Sequence, residues 1–343
     1  MEEMIGSKMR RLEYFDFARG AMILWMLIVH CSLTFGIIKF GGNQYSPVSP
    51  FVWLGWFMVP FYVFSGYFFN HKTSLQKTFL TCSKTLLVPY AFFSLFGLFV
   101  YEATVLISGK GVDAGILSGW VPTACLRSNT PLWFLISLFA VRVAYSAMNQ
   151  WVPRGNTVIA TVCLLLACAT CGFQQILGYG NILLGYYFYH LGTMLRSHER
   201  VLDRYFVLLP VAIVFIVIPF ITHVGLAFVL NLRSPGWVGY MLNIIFSCCG
   251  CYLLWFLSKR IRTDSHFFDM FAFIGTNSLL LYAYHRPVLN FIIAPLLKKA
   301  LPSMSSHVHL VVALVLLIGI YIAALPIARR APWIFGKADK RRA

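Results

Sequence analysis

The chain has 343 residues, of which 59% are hydrophobic and 11% charged, with a mean hydropathy of +0.75. Soluble domains carry about a quarter charged residues, so this composition excludes an ordinary soluble protein and makes the chain a polytopic membrane protein. The formal net charge of +17 does not call for nucleic acid, because basic residues on such a chain collect in cytoplasmic loops.

Apolar runs long enough to cross a bilayer as helices recur about ten times, at roughly 15–38, 51–69, 85–107, 131–149, 157–175, 179–195, 205–224, 237–258, 267–292 and 308–328. The expected fold class is all-α: an integral membrane helix bundle of about ten transmembrane helices with both termini cytoplasmic. Charge supports that orientation. Lys8, Arg10, Arg11, Arg19, Lys72, Lys77, Lys84, Arg154, Arg196, Arg200, Arg204, Lys259, Arg260, Arg262, Arg329 and Arg330 are expected on the N-terminal side, as is the basic tail. Only Lys39, Lys110, Arg127, Arg233, Lys298 and Lys299 fall on the other. No small-residue cleavage site follows a short apolar stretch near the start, so the first span is expected to be retained. No linker or repeat interrupts the chain, and a single membrane domain over 1–343, with its core at about 10–330 and a cytoplasmic tail at 329–343, is the economical division.

The first span, RLEYFDFARGAMILWMLIVHCS from Arg11 to Ser32, carries an acid, an arginine and a histidine into the bilayer. Ionisable groups there are costly and mark function by default. Asp16 precedes Arg19 by one helical turn, the spacing of an ion pair. His30 follows Arg19 by eleven residues, about three full turns and roughly 16 Å of rise, so both emerge from nearly one face. The bland alternative is an arginine that snorkels to the headgroups and a histidine that packs. The second span contains VPFYVFSGYFF, in which Ser65 and Gly66 permit close helix approach. The loop over 108–130 holds an apolar stretch too short to span, which is expected to lie at the interface or re-enter. The fourth span opens PLWFL, with Trp133 at its mouth. The CxxC spacings, Cys168 to Cys171 and Cys248 to Cys251, lie in apolar runs without the loop or histidines of a zinc site, and no metal is expected. His190 and His223 read as structural.

The ninth span, FAFIGTNSLLLYAYHRPVL from Phe271 to Leu289, is the most polar after the first. Ser278, Tyr282 and His285 are spaced by four and three and share a face, with Asn277 and Arg286 beside them and Pro287 placed to kink the helix. Intramembrane carboxylates are scarce, so histidine is the natural general base, and His30 and His285 are expected at a common depth.

Arg19 and His30 with ten residues between them, preceded by Asp16 and followed by Gly20, resemble the signature first helix of membrane acyltransferase family 3, the integral membrane O-acyltransferases of cell-surface glycans. The FSGYF, PLWFL and GTNSLLLYAYH elements resemble further family elements in the right order, over about residues 10 to 330. The resemblance implies transfer of an acyl group, usually acetyl, from cytoplasmic acetyl-CoA to a hydroxyl of a glycan or lipid-linked sugar. It implies catalytic roles for Arg19 and His30, with His30 as base or as transient acyl carrier. Asp16 would support Arg19, and Asn277, Ser278, Tyr282, His285, Arg286, Trp133 and Ser65 would bind substrate. No bound cofactor is implied beyond acyl-CoA as donor, and the place is a multi-pass position in a bacterial cytoplasmic membrane, among membrane lipids. Relatives often carry arginines where Lys77 and Lys84 stand, and lysine meets a phosphate only as a point charge, which weakens a donor-binding role for that loop. A transporter also needs many spans and intramembrane charge, with Glu102 as its candidate relay, and an inactive scaffold is the third reading. Acceptor, acyl length and a homo-oligomeric state stay open.

Overall fold

A computed structural model describes residues 2–38, 56–109, 132–152, 155–170, 179–222, 236–261 and 264–335. Among them every regular element is helical. We label the helices α1 (Glu2–Thr34), α2 (Val59–Tyr67), α3 (Leu75–Cys82), α4 (Val88–Ile107), α5 (Trp133–Trp151), α6 (Asn156–Ala169) and α7 (Tyr179–Ser197). They continue as α8 (Glu199–Leu202), α9 (Tyr205–Thr222), α10 (Gly236–Ser258), α11 (His266–Thr276), α12 (Ser278–Pro287), α13 (Ala294–Ala300) and α14 (Ser306–Arg330). Among the described residues, five helical stretches are long and apolar enough to cross a membrane: Glu13–Thr34, Leu75–Ile107, Tyr240–Ser258, Ser278–Ala300 and Ser306–Arg330. Helices Asn156–Ala169 and Tyr205–Phe220 are apolar but shorter. The loop stretch 110–131, His223 and Cys171 lie outside the described residues.

Local chemistry sets the helix ends. Gly36, at φ 72°, turns the chain after α1, and the Ile37 amide closes back on the Ser32 carbonyl at 2.9 Å, a glycine-terminated helix end. Ser265 and Ser305 cap α11 and α14 by accepting from the amides of Phe268 and Val308.

The third and ninth apolar segments differ from their expected form. Helical structure in the third begins at Leu75, ten residues before the apolar run, and a π-turn over Ser83–Leu87 joins α3 to α4. A second π-turn, Val288–Ile293, joins α12 to α13. Each lies just ahead of a proline, Pro89 or Pro295, whose ring crowds the carbonyl four residues back and cannot donate to it. The ninth segment is two helices. Asn277 leaves helical geometry at φ −109°, ψ 17°, and its amide and side chain close on the carbonyls of Phe273 and Ile274.

The helices gather in two compact units. One contains α1 up to Met26, α2, α5 from Ala144, and α6 to α11. There Phe15 packs on Phe64, Tyr67 and Phe68, and Phe17 on Phe267, Phe268 and Phe271. Backbones nearly touch at small residues: a Cβ on Gly20 would meet the Phe271 carbonyl, and one on Gly275 the Asp16 carbonyl. Gly66 and Gly192 bring α2 and α7 together in the same way, against Tyr189 and Val63. The other unit contains α1 from Leu27, α3, α4, α5 up to Val143, and α12 to α14. The Tyr284 hydroxyl donates to the Leu317 carbonyl at 2.6 Å, tying α12 to α14.

Candidate active site

Asp16 and Arg19 of α1 lie in one unit and His30 in the other, each in its own cluster. In the first, Arg19 Nη1 donates to Asp16 Oδ1 at 3.0 Å, one turn apart as the spacing predicts. Arg19 and Asp16 side chains are 31% and 24% exposed, so the pair is half-buried rather than sealed. The guanidinium also lies 5.8 Å above the Phe68 ring, within cation–π range. The α1 backbone is held at this level by the Gly20 and Gly275 contacts with α11. Ser65 is half-buried on α2 in this same unit. Asn277 and Ser278 are half-buried at the break between α11 and α12, and the Asn277 amide nitrogen is spent on the Phe273 carbonyl at 3.1 Å.

In the second cluster, His30 Nδ1 lies 2.8 Å from His285 Nε2. The ring planes are 6° apart and the centroids 4.9 Å apart. That separation is near the largest a 2.8 Å nitrogen contact permits, so the rings meet edge to edge and nearly coplanar, the geometry of a direct hydrogen bond. His285 is fully buried and its Nδ1 lies 2.7 Å from the Tyr282 carbonyl oxygen, while His30 is only half-buried. Of the residues expected around the acceptor, Tyr282 is buried beside His285, with ring centroids 6.3 Å apart. Phe134 links it to Trp133 through centroid distances of 6.0 and 6.1 Å. Arg286 is half-buried.

Thr34 and Asn290 were not singled out in the sequence. One turn beyond His30, the Thr34 hydroxyl donates to Asn290 Oδ1 at 3.0 Å, a second polar tie between α1 and the chain after His285. A polar residue inside the apolar run VLNFII was the available signal, but the π-turn places Asn290 off the α-helical stripe. Thr104 Oγ1 lies 3.4 Å from the Phe291 carbonyl, the oxygen that Pro295 leaves without its helical donor. His190, read as structural, sits on α7 with the Tyr145 hydroxyl 2.9 Å from its Nδ1. Cys248 and Cys251 are free thiols on α10. Among the described residues no group of three or more His, Cys, Asp or Glu side chains could hold a metal ion.

An acyltransferase 3 family model, described as an acyltransferase domain, matches residues 12–328. Comparison with curated proteins and with solved structures finds no match.

Proposed function

The chain belongs to the membrane acyltransferase 3 family, and from that premise we propose that it is an O-acyltransferase moving an acyl group, acetyl in the simplest case, from cytoplasmic acyl-CoA to a hydroxyl of a cell-surface or lipid-linked sugar. The observation that carries the reading is the direct contact between His30 and the buried His285. A half-buried imidazole held by a second one is a positioned base in a region with few carboxylates. In the reaction the acceptor O–H gives its proton to His30, and the oxygen attacks the thioester carbonyl carbon. The C–S bond then breaks, and the departing thiolate takes the proton from His30 to leave as CoA–SH. If the acyl group passes first to His30, a C–N bond forms as the C–S bond breaks, the acceptor oxygen then attacks the acyl carbon as the C–N bond breaks, and the acceptor's proton ends on the CoA thiolate as CoA–SH.

Arg19, with Asp16 beside it, suits the phosphates of the donor, because a guanidinium binds phosphate oxygens bidentately. The eleven-residue spacing to His30 along α1 is about 16 Å of rise, comparable to an extended pantetheine arm. Asn277, Ser278, Tyr282, Arg286, Trp133 and Ser65 are assigned to the acceptor and to the oxyanion. The test is transfer of labelled acyl groups from acyl-CoA to endogenous glycan or lipid in inverted membrane vesicles. His30→Ala and Arg19→Ala are expected to abolish labelling at equal protein levels, and labelling unchanged in either would overturn the assignment.

One observation favours a second reading. Both carboxylate oxygens of Glu102 on α4 are buried and lack a hydrogen-bond partner among the described residues, as a proton-coupled transporter's relay would in one of its states. Uptake of solute by vesicles without CoA, lost in Glu102→Gln, would establish that reading.

A further inference from the structure

The contacts of the histidine pair fix which nitrogen of His30 can react. A carbonyl oxygen only accepts, so the Tyr282 oxygen, 2.7 Å from His285 Nδ1, requires a hydrogen on that nitrogen. A neutral imidazole donates from one ring nitrogen and accepts at the other, so His285 Nε2 presents its lone pair. His30 Nδ1, 2.8 Å away, must then be the donor. The neutral His30 ring is left with its lone pair on Nε2.

We propose that the line from the Tyr282 carbonyl through His285 to His30 locks His30 in its Nδ1–H tautomer. It thereby makes Nε2 the nitrogen that takes the acceptor's proton or the acyl group. His285 is then a positioning residue and has no direct contact with the acceptor, in agreement with its complete burial. The near coplanarity of the rings aims the Nδ1–H bond along the His285 lone pair. When Nε2 takes a proton, the positive charge on His30 is shared through Nδ1–H with His285, whose own Nδ1–H stays on the carbonyl. Inside a membrane, a neutral imidazole in this position avoids the desolvation cost that a carboxylate would carry. The Thr34 to Asn290 hydrogen bond fastens the same two stretches of chain one turn away and keeps the rings in register.

The inference rests on the transferase reading for its consequence but not for its measurement. Nitrogen-15 NMR of histidine-labelled full-length protein in lipid nanodiscs, with His30 assigned by loss of its signals in His30→Asn, reads the tautomer directly. Nδ1 protonated and Nε2 unprotonated is expected. The opposite pattern overturns the proposal even if the protein is an acyltransferase.

Kinetics supply the second arm. His285→Phe removes the acceptor for His30 Nδ1 and is expected to lower kcat at least about 100-fold, with KM for acyl-CoA unchanged within about twofold. His285→Gln, whose amide oxygen can accept from Nδ1, is expected to recover at least about tenfold of that loss. Equal kcat for the two variants, or a loss confined to KM, would overturn the positioning role. If no acyl transfer is found with any donor, the transferase reading fails while the NMR spectrum still decides the tautomer.

Discussion

Arg19 and Asp16 make a pair that needs nothing beyond one helical turn, and for that reason it is written in the sequence. An arginine differs from a lysine here by its planar fork, which lets it keep Asp16 on one edge and offer the other to a phosphate. Arg19→Lys is expected to leave protein yield near wild type and to raise KM for acyl-CoA at least about tenfold, the factor that one charge-assisted hydrogen bond of about 1.5 kcal/mol carries. Initial rates against acyl-CoA concentration in vesicles measure it, and an unchanged KM would remove the donor phosphates from the role of Arg19. The pairing of His30 with His285 was legible only as a shared depth, since hydropathy and spacing locate a residue along a span but not about its neighbour. Which nitrogen meets which was not legible at all, because it depends on rotamers set by packing across 255 residues of chain.

At the scale of elements, α1 and α11 approach until only glycine fits at the crossing. Gly275→Ala or Gly20→Ala would drive a methyl group into a backbone carbonyl, which cannot swing aside like a side chain. Overpacking of this kind costs about 1–3 kcal/mol. Gly319, on α14, meets nothing within 4 Å of an added Cβ, and alanine is the better helix former there. Thermal unfolding of the detergent-solubilised protein should therefore fall for the first two variants and stay level or rise for Gly319→Ala. A fall of equal size at all three positions would show that the crossing is not tight. Most elements were legible from apolar runs because each run buries or exposes a continuous helical surface. The break at Asn277 and the two π-turns were not, since they arise where Asn277 leaves helical geometry and where Pro89 and Pro295 remove a helical donor without interrupting hydrophobicity. That interruption is also why the stripe from Ser278 to His285 starts a new helix instead of continuing the old one.

At the scale of the whole molecule, α4, α9 and α14 carry long side chains bare to their surroundings: Phe99 is 72% exposed, Leu209 65% and Val315 65%. Surfaces of that composition belong against hydrocarbon. Basic residues of membrane chains collect in cytoplasmic segments, and on the topology expected from the sequence a C-terminal reporter active only in the cytoplasm should be active. In intact cells Lys298→Cys should react with an impermeant thiol reagent while Lys72→Cys does not, and the reverse pattern would invert the topology. The pairing of α1 with α11 and α12 has a further consequence, which concerns the order of synthesis. His30 leaves the ribosome 255 residues before the histidine it bonds to, and at about 5–20 residues per second that is a delay of roughly 13–50 s. Asp16 is separated from Arg19 by only three residues, so their ion pair is complete as soon as the helix forms. The charge of Arg19 can thus be balanced by Asp16 from the moment the first helix forms, before the last third of the chain exists.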